Sequence, residues 1–367
     1  LLTVTGVQTC ALPISSFIRL NSLISAMNSN PLSKREAQIL QCLVNVHIAI
    51  GDPVSSKTLC QSENLGVSSA TIRNALASLE EKGYVSQPHT SAGRIPSEKG
   101  YRFYVEQAMA KGGFGLDAEG IALRQRLETA LQEGDYQEIL HQLALTIGDM
   151  SNQLGLVLSP RFKEGIFHKL ELLRLEANRL LIVVTVNGGL IKSLVAEVDS
   201  AVSQRDLENL SRLFNERLHG LTMAEIQATV QERLAVLGQV ARPVVEVVVQ
   251  EIEIMLSTSG ADLHVSGTRN LCLKPEFGDS IQVAGLVDLA EKKDILAQLM
   301  SERHGVVITI GSEHRSQAMQ QCSMVTASYN VAGAQGVIGV IGPTRMPYGS
   351  VVALVNYAAS RAAALVS

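Results

Sequence analysis

Two neighbouring stretches carry the side chains best suited to chemistry. The first, SSATIRNALASLEEKGYV over residues 68–85, sets Thr71, Arg73, Asn74, Ala77 and Ser78 away from a stripe made by Ile72, Leu76 and Leu79. A guanidinium pairs bidentately with the edge of guanine and a carboxamide with the edge of adenine, so Arg73 and Asn74 suit the reading of bases. Ser69 and Thr71 add hydroxyls for phosphate or a thymine methyl, and Ser78 continues the outward face. The second stretch, HTSAGRIPSEKGYRFYV over residues 89–105, offers His89, Thr90 and Ser91 as donors and Arg94 and Lys99 as cations. From Lys82 to Arg102 the local balance is +3, in a chain whose formal net charge is −4. Positive charge is concentrated where phosphates would lie. An isolated loop of this kind would be a solvated surface; its place directly after a helix of recognition type favours nucleic acid. Tyr101, Phe103 and Tyr104 read as packing groups rather than base-stacking ones.

These side chains need a frame, and the preceding residues predict one. Ser33 and Glu36 stand at capping-box spacing ahead of Ile39, Leu40, Leu43, Val44 and Ile48, and Gly51-Asp52-Pro53 stops the pattern. A second short helix starts at Ser56 with Leu59 and Cys60 inward. Gly66 turns the chain into an N-cap at Ser68 or Ser69, and Gly83 ends the third helix. A short strand at Tyr84-Val85, a polar loop and a return strand complete the pattern of a winged helix-turn-helix, in which the third helix enters the major groove. Gly93 lets the loop turn and Pro96 precedes an N-cap at Ser97.

Other candidate chemistry is thin. GVIGVIGPTRMPYG (residues 336–349) spaces Gly336, Gly339 and Gly342 before a helix but lacks the GK[ST] ending of a phosphate loop, so the glycines read as close packing, with Thr344 and Arg345 in domain packing. Glu302, His304, Glu313 and His314 could be drawn as a metal or acid-base cluster, yet read as surface charge. No GxSxG elbow is present. The expectation is a protein that is not an enzyme, with no catalytic residues, no metal and no cofactor.

Composition agrees. Hydrophobic residues make 46% of the 367 and aromatics 4%, with no Trp, so the cores must be aliphatic. The mean hydropathy of +0.17 is high, but no run reaches the roughly 18 apolar residues of a membrane span. The five cysteines lie apart without a CxxC pair, as expected of reduced thiols in the cytoplasm, and Cys42 falls on an apolar helical face. Residues 1–26 open with LLTVTGVQTCALPISS, which has no periodicity and resembles translated sequencing adapter. A signal peptide would need a basic region ahead of the apolar residues. They read as a non-native extension, with Met27 as the expected native start.

Beyond residue 105, KGGFG (111–115) reads as a hinge and residues 117–150 as two helices broken near Gly134. Residues 168–198 alternate as antiparallel strands with turns at Ala177-Asn178 and Asn187-Gly188-Gly189. Strand character returns in GVVITIGSE, CSMVTASYNV and GVIGVIGP, followed by a helix from Tyr348. The segment between, about 221–301, is mostly helical in pattern, although VVEVVV, with Pro243 ahead of it, fits either a helix or a strand.

PVSSKTL, the run from Ser68 to Val105, HVSGTRNL with PEF, CSMVTASY and GVIGVIGPTRMPYG together resemble the heat-inducible transcription repressors called HrcA, from about Leu32 to the end. The resemblance implies a multidomain α+β chain: a winged helix over 27–105, a GAF-like antiparallel domain over 106–220 and 302–367, and a mainly helical dimerisation domain inserted over 221–301. It also implies a homodimer on double-stranded DNA at the inverted repeat called CIRCE, upstream of chaperone genes, kept active by the GroEL chaperonin. A metabolite-responsive regulator using the GAF-like domain is the first alternative. An enzyme using that domain is the second.

Overall fold

The computed structural model describes residues 32–62, 66–89, 92–110, 125, 136–176, 178–187, 191–198, 203–234, 242–258, 262–278, 280–331 and 333–364. The expectations for residues 1–26, Thr90, Ser91, the 111–115 hinge, the helix after Asp117 and Gly188-Gly189 lie outside the described residues. The chain divides into two compact units, Leu1–Glu106 and Gln107–Ser367.

In the first unit, α1 (Lys34–Ile50) starts where Ser33 and Glu36 form the reciprocal capping box and ends at Gly51 in the left-handed region. Helices α2 (Ser56–Ser62) and α3 (Ser69–Glu81) follow, the latter capped by Ser68. Ile39, Leu40, Leu43, Leu59, Ile72 and Leu79 are fully buried between them. Each such side chain is worth roughly 1.5–3 kcal/mol on burial, so the apolar stripe of α3 decides which of its faces is left for solvent. Cys60, expected inward, is exposed; α2 is too short to bury more than one residue per turn, and Leu59 takes that place.

Gly83 at φ 76° reverses the chain into β1 (Val85–Ser86), which pairs antiparallel with β2 (Ile95–Pro96). Val54, just ahead of α2, adds a third rung: its N–H donates to Arg94 O and its carbonyl accepts from Arg94 N–H, both at 2.9 Å. A Cβ on Gly93 would collide with the Val54 carbonyl, which is why a glycine stands there. Helix α4 (Glu98–Ala110) then starts under Ser97 and docks on α1 through Tyr101, whose hydroxyl meets His47 Nδ1 at 2.9 Å.

The second unit is built on two antiparallel sheets. The larger, in the order β7-β3-β10-β9-β8, comprises β3 (Leu154–Leu158), β7 (Leu263–Ser266), β8 (Val306–Ile310), β9 (Cys322–Val331) and β10 (Ala334–Pro343). One face packs Leu154, Leu156, Cys322, Met324 and Ile341 against α9 (Thr268–Cys272), α10 (Ser280–Glu291) and α11 (Lys293–Ser301). The other is covered by α5 (Tyr136–Ser151) and α12 (Tyr348–Ala364), with Ser323 Oγ and Tyr348 Oη 2.7 Å apart.

The smaller sheet contains β4 (Phe167–Glu176), β5 (Arg179–Val186) and β6 (Ile191–Glu197), in that order. It shares a separate core with α6 (Gln204–Leu218), α7 (Met223–Leu234) and α8 (Arg242–Thr258), including Phe167, Leu170, Ile182, Val184, Leu207, Phe214, Ile226 and Val248. The strands of 168–198 therefore do not join the later ones, as the sequence reading had placed them. Alternation identifies a strand but not its partner. VVEVVV is helical because Val244, Val245, Val248, Val249 and Ile252 recur at helical spacing toward that core, which outweighs the β-branched preference for strands.

The free edge of β4 is closed by α6. Asn215 Oδ1 accepts from Leu170 N–H at 2.7 Å while its Nδ2 donates to Leu170 O at 3.0 Å, and Ser211 Oγ accepts from Leu172 N–H at 3.2 Å. The side chains do what another strand would do, and the edge is no longer open for pairing. No helix among the described residues is long and apolar enough to cross a membrane.

Candidate nucleic-acid interface

The exposed face of α3 is set by its cap and its buried stripe. Ser68 Oγ accepts from Thr71 N–H at 3.3 Å and lies 3.1 Å from Thr71 Oγ1, so the first turn is fixed. With Ile72 and Leu79 fully buried and Leu76 nearly so, Thr71, Arg73 and Asn74 face solvent together. Ser69 is half-buried. Its hydroxyl lies 3.2 Å from Ser56 Oγ, which in turn accepts from Arg73 Nε at 3.3 Å. The N-terminal half of α3 thus gathers four of the expected site residues, Ser69, Thr71, Arg73 and Asn74. Ser56, which sequence reasoning passed over, joins them; the i, i+4 spacing of Ser69 and Arg73 was the signal that one neighbouring group could serve both.

Ser78 is elsewhere. Instead of facing outward with Asn74 it is half-buried and donates to Glu36 Oε1 at 2.7 Å, beside Lys82 Nζ at the same distance from that oxygen. Glu36 Oε2 accepts from Ser33 N–H at 2.7 Å. The Lys82 ammonium first, then Ser78 and the Ser33 backbone, hold the Glu36 carboxyl down at about 2. This cluster fastens the start of α1 to the end of α3.

The ribbon supplies the rest. Arg94 Nη2 meets Glu80 Oε2 at 2.8 Å, pinning the ribbon to α3. Lys99 Nζ donates to Lys82 O at 2.8 Å and sits 4.3 Å from the centre of the Tyr84 ring, while Ser97 Oγ donates to Gly83 O at 2.7 Å. A cation and a hydroxyl at the helix C-terminus satisfy its carbonyls and oppose its dipole. His89 is exposed at the ribbon turn, where Ala92 N–H donates to its carbonyl. Arg94 is thus half-buried and Lys99 tethered yet exposed, while His89, like Pro88 before it, faces outward from the loop.

The remaining candidates are occupied differently. His304 Nδ1 lies 2.7 Å from Gln335 Oε1, Glu313 Oε2 accepts from Ile310 N–H at 2.8 Å, and His314 is buried rather than part of a charged surface. No group of three or more His, Cys, Asp or Glu among the described residues could hold a metal ion. Gly339 and Gly342 sit inside β10, where a Cβ would press on Thr326 and Gln153. Arg345 Nε meets Glu276 Oε1 at 2.5 Å, tying the PTR turn to the PEF segment. Burial pushes the Cys322 thiol up to about 12.

Fold and site define a multidomain α+β protein whose first unit presents a polar helix face beside a fastened β-ribbon. The family model for the HrcA protein C terminal domain matches residues 137–352. The heat-inducible transcription repressor HrcA of Prosthecochloris aestuarii is 36% identical over 348 residues, covering 91% of this chain and 98% of the relative. That of Pelotomaculum thermopropionicum is 33% identical over 331 residues, covering 89% and 94%. A solved structure described as a hypothetical protein at 2.2 Å resolution aligns with a TM-score of 0.60 at 22% identity, over 91% of this chain and 98% of its own, which supports the fold. The chain belongs to the HrcA family of heat-inducible transcription repressors.

Proposed function

We propose that the first unit is a winged helix that binds the CIRCE inverted repeat in double-stranded DNA, with α3 in the major groove and the β1–β2 ribbon as the wing. The observation that carries this reading is the exposed Thr71-Arg73-Asn74 face of α3, with the Ile72-Leu76-Leu79 stripe buried beneath it. Ser69, Thr71, Arg73 and Asn74 make the principal contacts, and His89, Thr90 and Ser91 make those of the wing. Ser78, Arg94 and Lys99 contribute by holding the frame.

Two-fold operators call for two-fold proteins. The smaller sheet supports a homodimer, because Leu173, Ile191 and Val195 stand 46%, 62% and 44% exposed on strands whose opposite face packs on α6–α8. An apolar sheet face of this kind is suited to a second copy of itself. We place the dimerisation domain at about residues 162–258, inserted in a GAF-like domain formed by the larger sheet and its helices. The repressor acts in the cytoplasm on chaperone operons and depends on the GroEL chaperonin. Chaperonin dependence has a physical basis: β3 and β7 are neighbours in the sheet yet about 100 residues apart in the chain, so apolar surface stays open until both have formed.

A salt-titrated mobility shift on a CIRCE duplex and a scrambled duplex, with and without chaperonin, tests the reading. Repeat-specific binding enhanced by chaperonin is expected, and Arg73→Ala should weaken it by roughly 1–3 kcal/mol. Equal, weak, salt-sensitive binding to both duplexes would refute it.

A further inference from the structure

We propose that Ser56 is a positioning residue for base reading: its hydroxyl bridges α2 to α3 and presets the guanidinium of Arg73. The inference rests on the DNA-binding reading above and adds a residue to it.

Ser56 Oγ lies 3.3 Å from Arg73 Nε and 3.2 Å from Ser69 Oγ. Arg73 Nε is a donor only, so Ser56 Oγ accepts there, and its second lone pair and its own proton both remain for Ser69 Oγ, a contact in which either hydroxyl can donate. Ser69 and Arg73 are one turn apart on α3, and a single hydroxyl from the first residue of α2 spans them. Arg73 is exposed, and an exposed arginine without a tether samples many rotamers. With Nε held, both terminal nitrogens remain for a bidentate, end-on contact with a guanine, and part of the ordering cost is met before DNA arrives. Beneath the bridge, Leu59 and Ile72 are fully buried, so the helix crossing that positions Ser56 is fixed by packing. Adjacent Ser55 has a different employment: its Oγ accepts from Thr58 N–H at 3.1 Å, capping α2. Only the second serine of PVSSKTL reaches α3.

The test compares the wild-type chain with Ser56→Ala, Ser56→Thr, Arg73→Ala and the Ser56→Ala/Arg73→Ala double variant. Affinity is measured on the CIRCE duplex, on single-base variants of each half-site and on a scrambled duplex. Ser56→Ala should weaken CIRCE binding about threefold to tenfold, the scale of one lost hydrogen bond. It should also flatten the preference at the one guanine position that Arg73→Ala flattens, and leave scrambled-duplex binding within about twofold. Ser56→Thr, which keeps the hydroxyl, should restore the preference. The double variant should lose no more than Arg73→Ala alone, because the hydroxyl acts through the guanidinium. Independently of any operator, the Arg73 Nε–H of the free full-length chain should exchange with water several-fold faster in Ser56→Ala than in wild type or Ser56→Thr, by NMR. Unchanged Nε–H exchange overturns the proposal, as does additive loss in the double variant or equal weakening on specific and scrambled duplexes. If the wild type fails to discriminate CIRCE while its Nε–H is protected, the DNA reading fails and the bridge stands.

Discussion

Glu36 shows how much one carboxylate can hold. Its two oxygens receive Lys82, Ser78 and the Ser33 backbone, joining the start of α1 to the end of α3. With a carboxyl at about 2 in the folded chain against an ordinary 4.5, its contribution is complete above about 4.5 and is lost as pH falls toward 2. The first unit should therefore lose stability across that window, followed by amide exchange in α1 and α3. Glu36→Gln should remove this part of the pH dependence and cost roughly 1.5–3 kcal/mol at neutral pH. Half of the arrangement was legible in the sequence: Ser33 and Glu36 form a local capping box. The partners Ser78 and Lys82 lie more than 40 residues away, and helical periodicity alone turned Ser78 to the wrong side.

Among the elements, the ribbon depends most on backbone proximity. β1 and β2 are two residues each, too short to hold register alone. The Val54–Arg94 rung and the Arg94–Glu80 pair supply what they lack. Gly93→Ala would place a methyl against the Val54 carbonyl and should cost about 1–3 kcal/mol, with lost exchange protection at the Val54 and Arg94 amides. DNA affinity should fall with it, while the salt dependence contributed by α3 persists. Gly93 was visible in the sequence as a turn residue, but its close approach to Val54 was not, because that contact joins segments 39 residues apart.

At the scale of the whole molecule, the chain leaves the larger sheet after β3, builds the smaller sheet with α6–α8, and returns at β7. On the dimer reading, Val195→Glu should shift the chain from dimer to monomer in sedimentation at micromolar concentration. Binding to a single half-site should be retained while affinity for the full repeat falls. A dimer unaffected by that charge would place the interface elsewhere.

The sequence by itself determined α1, α2 and α3, the capping box of α1, the α3 cap to within Ser68 or Ser69, and the outward Thr71-Arg73-Asn74 face, because periodicity, capping and turn chemistry act within a few residues. It also determined membership of the family, through motifs carried along most of the chain. Tertiary structure alone decided which sheet each strand joins, that Leu154–Leu158 and Leu263–Ser266 are strands at all, and that Ser56, Ser69 and Arg73 meet. Those outcomes depend on partners distant in sequence. The central strands of the larger sheet, β3, β10 and β9, are also buried on both faces, which erases the alternation by which a strand announces its sides.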